Sequence, residues 1–418
     1  MKRIITFLLA AVLTVPLLMQ SAWAQVAQKQ VSVFIDNLPI SFTTPPELKN
    51  NSTLVPFRAI GEAIGVSLDW NGNTRTITAN DGENTVVLQI GNKIATINGT
   101  KITLSAAPYI SHNSTLVPLR FFSEAFNCKV DWDSVTYTAY ISSTAKAMTV
   151  IGYYALGDSW QDLFGKSYPD TDMGNTKLIS DLAFGWYSLD KDYNLITNSS
   201  TGWKKPDGWE KALEAAKTYN MKTEMAINLT DTNSAIYNLI SNPDTSEKVA
   251  ESIAKEAVAY NGVNLDFEGL GWNDSGDRLT QVRNYFTSFI QNLSAKLKAE
   301  NVELTLSLLA PNSSYPGYDY AALGKLADRI VIMAYDYNAQ PSPEPVNKVI
   351  QAVEMAKQAV PAEKLILGIS AYNEDELSIS TKVAIAKQYG LKGIALWRLG
   401  LVSDEMWAKL AEIVRAAK

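Results

Sequence analysis

Polar residues alternate with apolar ones midway along the chain, in the run Asn261-Gly262-Val263-Asn264-Leu265-Asp266-Phe267-Glu268. On an extended strand every second side chain shares a face, so Asn264, Asp266 and Glu268 point one way and Val263, Leu265 and Phe267 the other. The apolar set suits a layer beneath helices. Two carboxylates on an inward face are costly to bury unless a function or close partners offset that cost. The chemistry open to such a pair is proton donation and acceptance at a bound substrate. A salt-bridged or helix-capping pair has the same spacing, but no Lys or Arg falls within the nine positions after Glu268, so a counter-charge must come from elsewhere in the chain.

The elements around this run define what must position it. From Met148 onward, β-rich apolar runs occur at Val150–Tyr154, Leu182–Tyr187, Lys222–Ile227, Gly262–Glu268, Glu303–Leu308, Ile330–Tyr335, Leu365–Ser370 and Gly393–Trp397. Helical periodicity falls between them, at Gly208–Tyr219, Ser246–Tyr260, Arg278–Glu300, Pro345–Ala359, Glu376–Tyr389 and Ser403–Ala416, with weaker segments near 158–177 and 317–328. This alternation predicts a (β/α)8 TIM barrel over residues 148–418. An open doubly wound sheet is the competing α/β reading; no Gly-x-Gly-x-x-Gly follows the first strand to support it. In a barrel, functional groups gather at the C-terminal ends of the strands, which is where Asp266 and Glu268 fall.

Ahead of the barrel the sequence repeats itself. Asn51-Ser52-Thr53-Leu54-Val55-Pro56-Phe57-Arg58 returns as Asn113-Ser114-Thr115-Leu116-Val117-Pro118-Leu119-Arg120, and the same offset matches Glu62-Ala63 to Glu124-Ala125 and Asp69-Trp70 to Asp131-Trp132. Each unit predicts a hairpin around Asp36-Asn37 or Asn98-Gly99, a short helix after the Pro, and further strands. Residues 25–145 are therefore expected to form a smaller α+β domain of two internal repeats. Residues 1–24 have a basic head, an apolar middle and Ala22-Trp23-Ala24, the pattern of a secretory signal peptide cleaved after Ala24.

The barrel segment resembles the family 18 glycoside hydrolases, whose fourth strand carries Asp-Gly-x-Asp-x-Asp-x-Glu. Met333-Ala334-Tyr335-Asp336 resembles that family's sixth-strand motif, and Trp397 ends the eighth strand as its stacking aromatic does. The resemblance implies Glu268 as general acid and then base, Asp266 orienting the substrate's acetamido group, and Tyr335 donating its hydroxyl to the acetamido carbonyl. It implies substrate contacts from Asp336, Trp397, Asn264 and Tyr153, with Met333 packed below and Trp186 and Trp272 as further aromatics. The acetamido oxygen itself would act as nucleophile, giving a retaining, substrate-assisted route. Asn261 and Asn264 stand where the family has its first two aspartates; Asn264 is expected to hydrogen-bond Asp266 without taking its proton. The 22 residues between Ser370 and Gly393 leave room for one helix only, predicting a shallow, open site.

The repeat unit resembles the copper amine oxidase N-terminal-like domain, with no copper chemistry implied. One His (His112) and one Cys (Cys128) argue against zinc, haem or copper centres and against a disulfide framework, so no cofactor or metal is expected. A net charge of −6 without a basic block argues against nucleic acid as the main partner. Together these readings predict an exported, cell-wall-associated enzyme without a membrane span in its mature form. It would cleave β-linked N-acetylglucosamine in peptidoglycan or a related polymer, with the repeat domain attaching to the envelope. The alternatives are a chitinase or endo-β-N-acetylglucosaminidase, or a non-catalytic carbohydrate-binding envelope protein.

Overall fold

The computed structural model describes residues 30–49, 51–166 and 170–418; the expected signal peptide lies outside them. Eight parallel strands form a closed barrel: β1 (Lys146–Ala155), β2 (Asp181–Leu189), β3 (Lys222–Thr230), β4 (Gly262–Glu268), β5 (Glu303–Leu309), β6 (Arg329–Met333), β7 (Leu365–Ser370) and β8 (Gly393–Trp397). Each pairs with the next, and β8 returns to β1. All eight runs read from the sequence become these strands. The sixth ends two residues early, because the backbone leaves the ladder after Met333. The last helix also stops early, at Ile413; Val414–Ala416 extend and pair with the start of β1.

Alternation works along β4 as the spacing predicts. Val263, Leu265 and Phe267 join the core between strands and helices, where Phe267 stacks on Phe289 of helix Gly276–Ala299 at 6.0 Å between rings. Burying a side chain of that size contributes roughly 2–3 kcal/mol. The barrel interior holds a separate small cluster that includes Ile151, Tyr153, Ala183, Val331, Ile366 and Ala395. Ala183, Ala226 and Ala395 keep part of it small, which leaves space on the axis for polar side chains.

The two repeat units interlock around one core. Their hairpins turn at Asp36-Asn37 and Asn98-Gly99, all four with positive φ, as a tight two-residue turn requires. The helices Phe57–Ala63 and Leu119–Glu124 begin directly after Pro56 and Pro118. The hairpin strand Ser32–Ile35 of the first unit completes the sheet of the second by pairing parallel with Thr138–Ser142. Strands Ser52–Pro56 and Ser114–Pro118 pair antiparallel with Val55 opposite Val117, so the units are related by a local two-fold axis.

The repeat domain docks on the barrel helix Glu376–Gln388. Leu38, at the hairpin, is part of the barrel's own core. Lys387 reaches Ser143 Oγ at 3.0 Å, the Thr144 carbonyl at 3.2 Å and Asp36 at 3.7 Å, and Asn37 donates to Ser380 Oγ. This contact accounts for a helix that is buried almost all round, from Ile379 to Lys387. No described helix is long and apolar enough to cross a membrane.

Candidate active site

Asp266 and Glu268 end β4 on the inward face, with Asn228 beside them on β3. The register sets Asn228 opposite Asp266 and Thr230 opposite Glu268. One amide therefore serves both acids: Asn228 Nδ2 donates to Asp266 Oδ2 at 3.0 Å and to Glu268 Oε1 at 3.1 Å. Burial pushes the Asp266 carboxyl well above its ordinary range, and the neighbouring Glu268 charge adds to the rise. Glu268 is raised too, mainly by burial, although Asn228 and Asp266 work against the rise. The pair thus holds a proton into a range where an isolated carboxyl has lost it. Asp266 Oδ1 is buried with no donor aimed at it. A proton shared with Glu268, or a polar group on a ligand, is what satisfies such an atom.

Asn264 does not pair with Asp266 as expected. Its amide donates downward to Glu224 Oε2 at 2.8 Å, and its carbonyl accepts from Ser307 at 2.8 Å and Tyr153 at 3.3 Å. The physical reason lies in the layer beneath. Glu224 on β3 is fully buried and takes donors from Thr305, Asn264 and Arg329; Arg329, first residue of β6, also donates to Asp181 at 2.6 Å. This acid-rich layer, with one guanidinium, draws the amide away from Asp266. Asn261 lies outside the site, accepting from the Thr223 backbone N–H at 2.9 Å and fixing the foot of β4 against β3.

The walls come from the other strand ends. Tyr335 follows β6, and burial, followed by the charges of Asp266 and Glu268, drives its phenol far above the ordinary value, so it stays a proton donor. Asp336 is exposed and adopts a left-handed φ of 60°; its N–H donates to Glu344 at 2.7 Å and its carboxylate accepts from Asn373 at 3.1 Å. Trp397 lies edge-on to Tyr153 at 5.4 Å and stacks on Trp203 at 5.8 Å. Met333 shares the inward alternation of Val331. Trp186 does not join this group: the β2 alternation turns it outward, where it packs against Phe184 at 4.2 Å and against Trp209. Trp272 sits exposed on the rim against Tyr315.

Two residues of this arrangement escape the sequence reading. Asn228 stands one position past the expected end of the third strand, and as a polar residue at a strand's C-terminal end it carried a usable signal. Trp203 lies in the long β2-to-helix connection, where nothing local marks it. The stretch between β7 and β8 holds the single helix Glu376–Gln388, without an inserted domain.

Comparison with known proteins bears on the family and the fold. Residues 34–141 match the model of the copper amine oxidase N-terminal domain, and residues 149–376 that of the glycosyl hydrolases family 18. The chain is 23% identical over 344 residues to the "Uncharacterized glycosylase YvbX" of Bacillus subtilis, covering 64% of this chain and 92% of that protein. It is 21% identical over 225 residues to the "Cortical fragment-lytic enzyme" of Bacillus anthracis, covering 38% of this chain and 50% of that one. Across these Bacillus relatives the matched part spans from 34% to 92% of the relative's length. Among solved structures, a chitinase from Chromobacterium violaceum shares the barrel fold, with a TM-score of 0.53 and 21% identity over 64% of this chain and 98% of its own. With the strand-end carboxylates, the closed barrel and a model match over more than half its length, the chain belongs to the glycosyl hydrolases of family 18.

Proposed function

We propose that the protein is a retaining β-N-acetylglucosaminidase that cuts peptidoglycan or a related N-acetylglucosamine polymer outside the cytoplasm. The observation that carries the reading is the buried, unsatisfied Oδ1 of Asp266 beside a proton-holding Glu268. Glu268 gives its proton to the glycosidic oxygen as the bond to the anomeric carbon breaks. The acetamido oxygen of the same sugar closes on that carbon, while Asp266 accepts from the acetamido N–H and Tyr335 donates to its oxygen. Water, deprotonated by Glu268, then opens the cyclic intermediate from the face the leaving group occupied, which retains the configuration. Trp397, backed by the buried Trp203, supplies an apolar surface for the sugar ring. The cortex-lytic name of a relative, and the leader-like residues 1–24, favour a wall polymer over chitin.

The test is hydrolysis of purified peptidoglycan and of chitin oligomers, with products identified by mass spectrometry. Glu268→Gln is expected to lower kcat by about 100- to 10,000-fold, the usual range for a positioned acid–base group. Release of N-acetylmuramic reducing ends would contradict the proposed bond, and unchanged turnover in the variant would remove Glu268 from the chemistry.

A further inference from the structure

Besides the buried Leu54-Val55-Pro56 and Leu116-Val117-Pro118 runs, the two repeat units share a small set of surface residues. Buried pairs differ between the copies, as in Phe57/Leu119, Ile60/Phe122, Val66/Cys128 and Ile77/Ala139. The exposed or half-buried pairs Asn51/Asn113, Ser52/Ser114, Arg58/Arg120 and Trp70/Trp132 are identical. Exposed positions with no further role change at almost no cost in stability, and other exposed pairs here do differ, as in Ser67/Lys129 and Asn73/Val135, so this shared polar and aromatic set stands out.

The local two-fold axis explains what these residues share. Because Leu54 lies opposite Pro118 and Pro56 opposite Leu116, the Asn-Ser-Thr edge of each unit is brought beside the Arg and Trp of the other. Two clefts result. One, of about 570 Å³, lies between Asn51, Ser52 and Thr53 of the first unit and Arg120, Trp132 and Tyr137 of the second. Its counterpart, of about 440 Å³, lies between Asn113, Ser114 and Thr115 of the second unit and Arg58 and Trp70 of the first. Neither octapeptide copy builds a cleft alone. The guanidinium groups are only lightly engaged: Arg58 faces Glu62 at 3.6 Å, and Arg120 faces Glu124 at 3.2 Å and the Val130 carbonyl at 2.9 Å, with both arginines more than half exposed.

We propose that these are two equivalent carbohydrate-binding sites that hold sugar units of the polymer cut by the barrel, an inference that rests on the function proposed above for its choice of glycan. A tryptophan plane takes the C–H face of a pyranose, while the side chains of the Asn-Ser-Thr edge and the Arg donors meet its hydroxyl, acetamido or carboxylate oxygens. Two sites on one rigid domain raise the retention of a long glycan well beyond that of either site. The first cleft, larger, lined also by Tyr137 and with Phe121 where the second has Ala59, is the stronger.

The experiment is co-sedimentation of the full chain carrying Glu268→Gln, which keeps the polymer intact, with purified peptidoglycan sacculi and, separately, with chitin. Trp132→Ala is expected to weaken binding more than Trp70→Ala, and the double variant by at least about tenfold. Trp70→Tyr with Trp132→Tyr keeps a stacking ring and should restore most of the binding, which separates lost stacking from lost folding; thermal unfolding checks each variant. Which polymer sediments the protein identifies the source of the glycan. No binding to either polymer, or binding untouched by the folded double Ala variant, overturns the proposal. Trp-dependent binding by a protein whose unmutated form releases no sugar would overturn the barrel reading and leave this one standing.

Discussion

Asn228 stabilises the ionised form of both site carboxyls, yet burial outweighs it and both titrate upward. The sign of the consequence for stability follows from linkage. A carboxyl whose folded pKa lies above its unfolded one contributes fully only while both states hold the proton, below the ordinary Glu value of 4.5, and that contribution is lost as pH rises through the folded value. Glu268→Gln keeps the neutral form at every pH. It is therefore expected to stabilise the protein at pH 7 by on the order of 1 kcal/mol, the size of a typical single stabilising change, with the gain shrinking as the pH falls toward 4.5. Denaturant unfolding of both proteins across that range checks it; a variant less stable than the parent at neutral pH would contradict the assignment of Glu268 as a strained, raised carboxyl. At this scale Asp266 and Glu268 were legible from strand alternation, and the roles given to Tyr335 and Trp397 came from motif resemblance. The partner of Asp266 was not, because it sits on a neighbouring strand and only the β3–β4 register brings it across.

Elements set how the site is held. The polar layer under it links three strands: Arg329 of β6 bridges Asp181 of β2 and Glu224 of β3, all nearly inaccessible to solvent. Removing the cation strands two buried acids, which costs far more than the ion pair gains over an apolar replacement. Arg329→Met is expected to destabilise the barrel by about 3–5 kcal/mol, and Glu224→Gln added to it should recover part of the loss; denaturation midpoints of the single and double variants measure both. Above this layer, Glu344 accepts the N–H groups of Asp336 and Tyr337 and Asn373 contacts both Asp336 and Glu344, so the turn carrying Tyr335 is fixed from the β7 side. Lys382, paired with Glu374 at 3.1 Å, supplies the positive charge for this acid-rich corner. Strand order and helix positions were readable from periodicity, whereas Trp186 was misplaced as a site aromatic. Its neighbours Phe184 and Trp209 show that it belongs to the outward layer of β2, where a register irregularity after Gly185 shifts the strand.

For the whole molecule, the repeat domain is joined to the barrel by more than a linker. Lys387 is nearly buried at the junction, where burial lowers its pKa and Asp36 acts to hold the charge. Lys387→Ala leaves Asp36 with its Ser143 contacts alone, so the docking should weaken by about 2–3 kcal/mol, toward the lower end of the cost of breaking a buried pair. Calorimetry is expected to resolve two unfolding transitions in the variant; a single unshifted transition would mean that Leu38 and its apolar neighbours carry the junction.

The local patterns follow from residue order alone: eight strand runs, the alternation that turns Asp266 and Glu268 inward, the hairpin turns and the repeat. Each depends on chemistry within a few residues of chain, and backbone geometry makes that chemistry periodic. Which distant groups meet is set by packing: Asn228 across two acids, Glu224 diverting Asn264, Trp203 on Trp397, and each repeat unit completing the other's cleft. Those contacts depend on strand register, barrel closure and a two-fold axis, which arise only when residues far apart along the chain, from about forty to nearly two hundred positions, pack together.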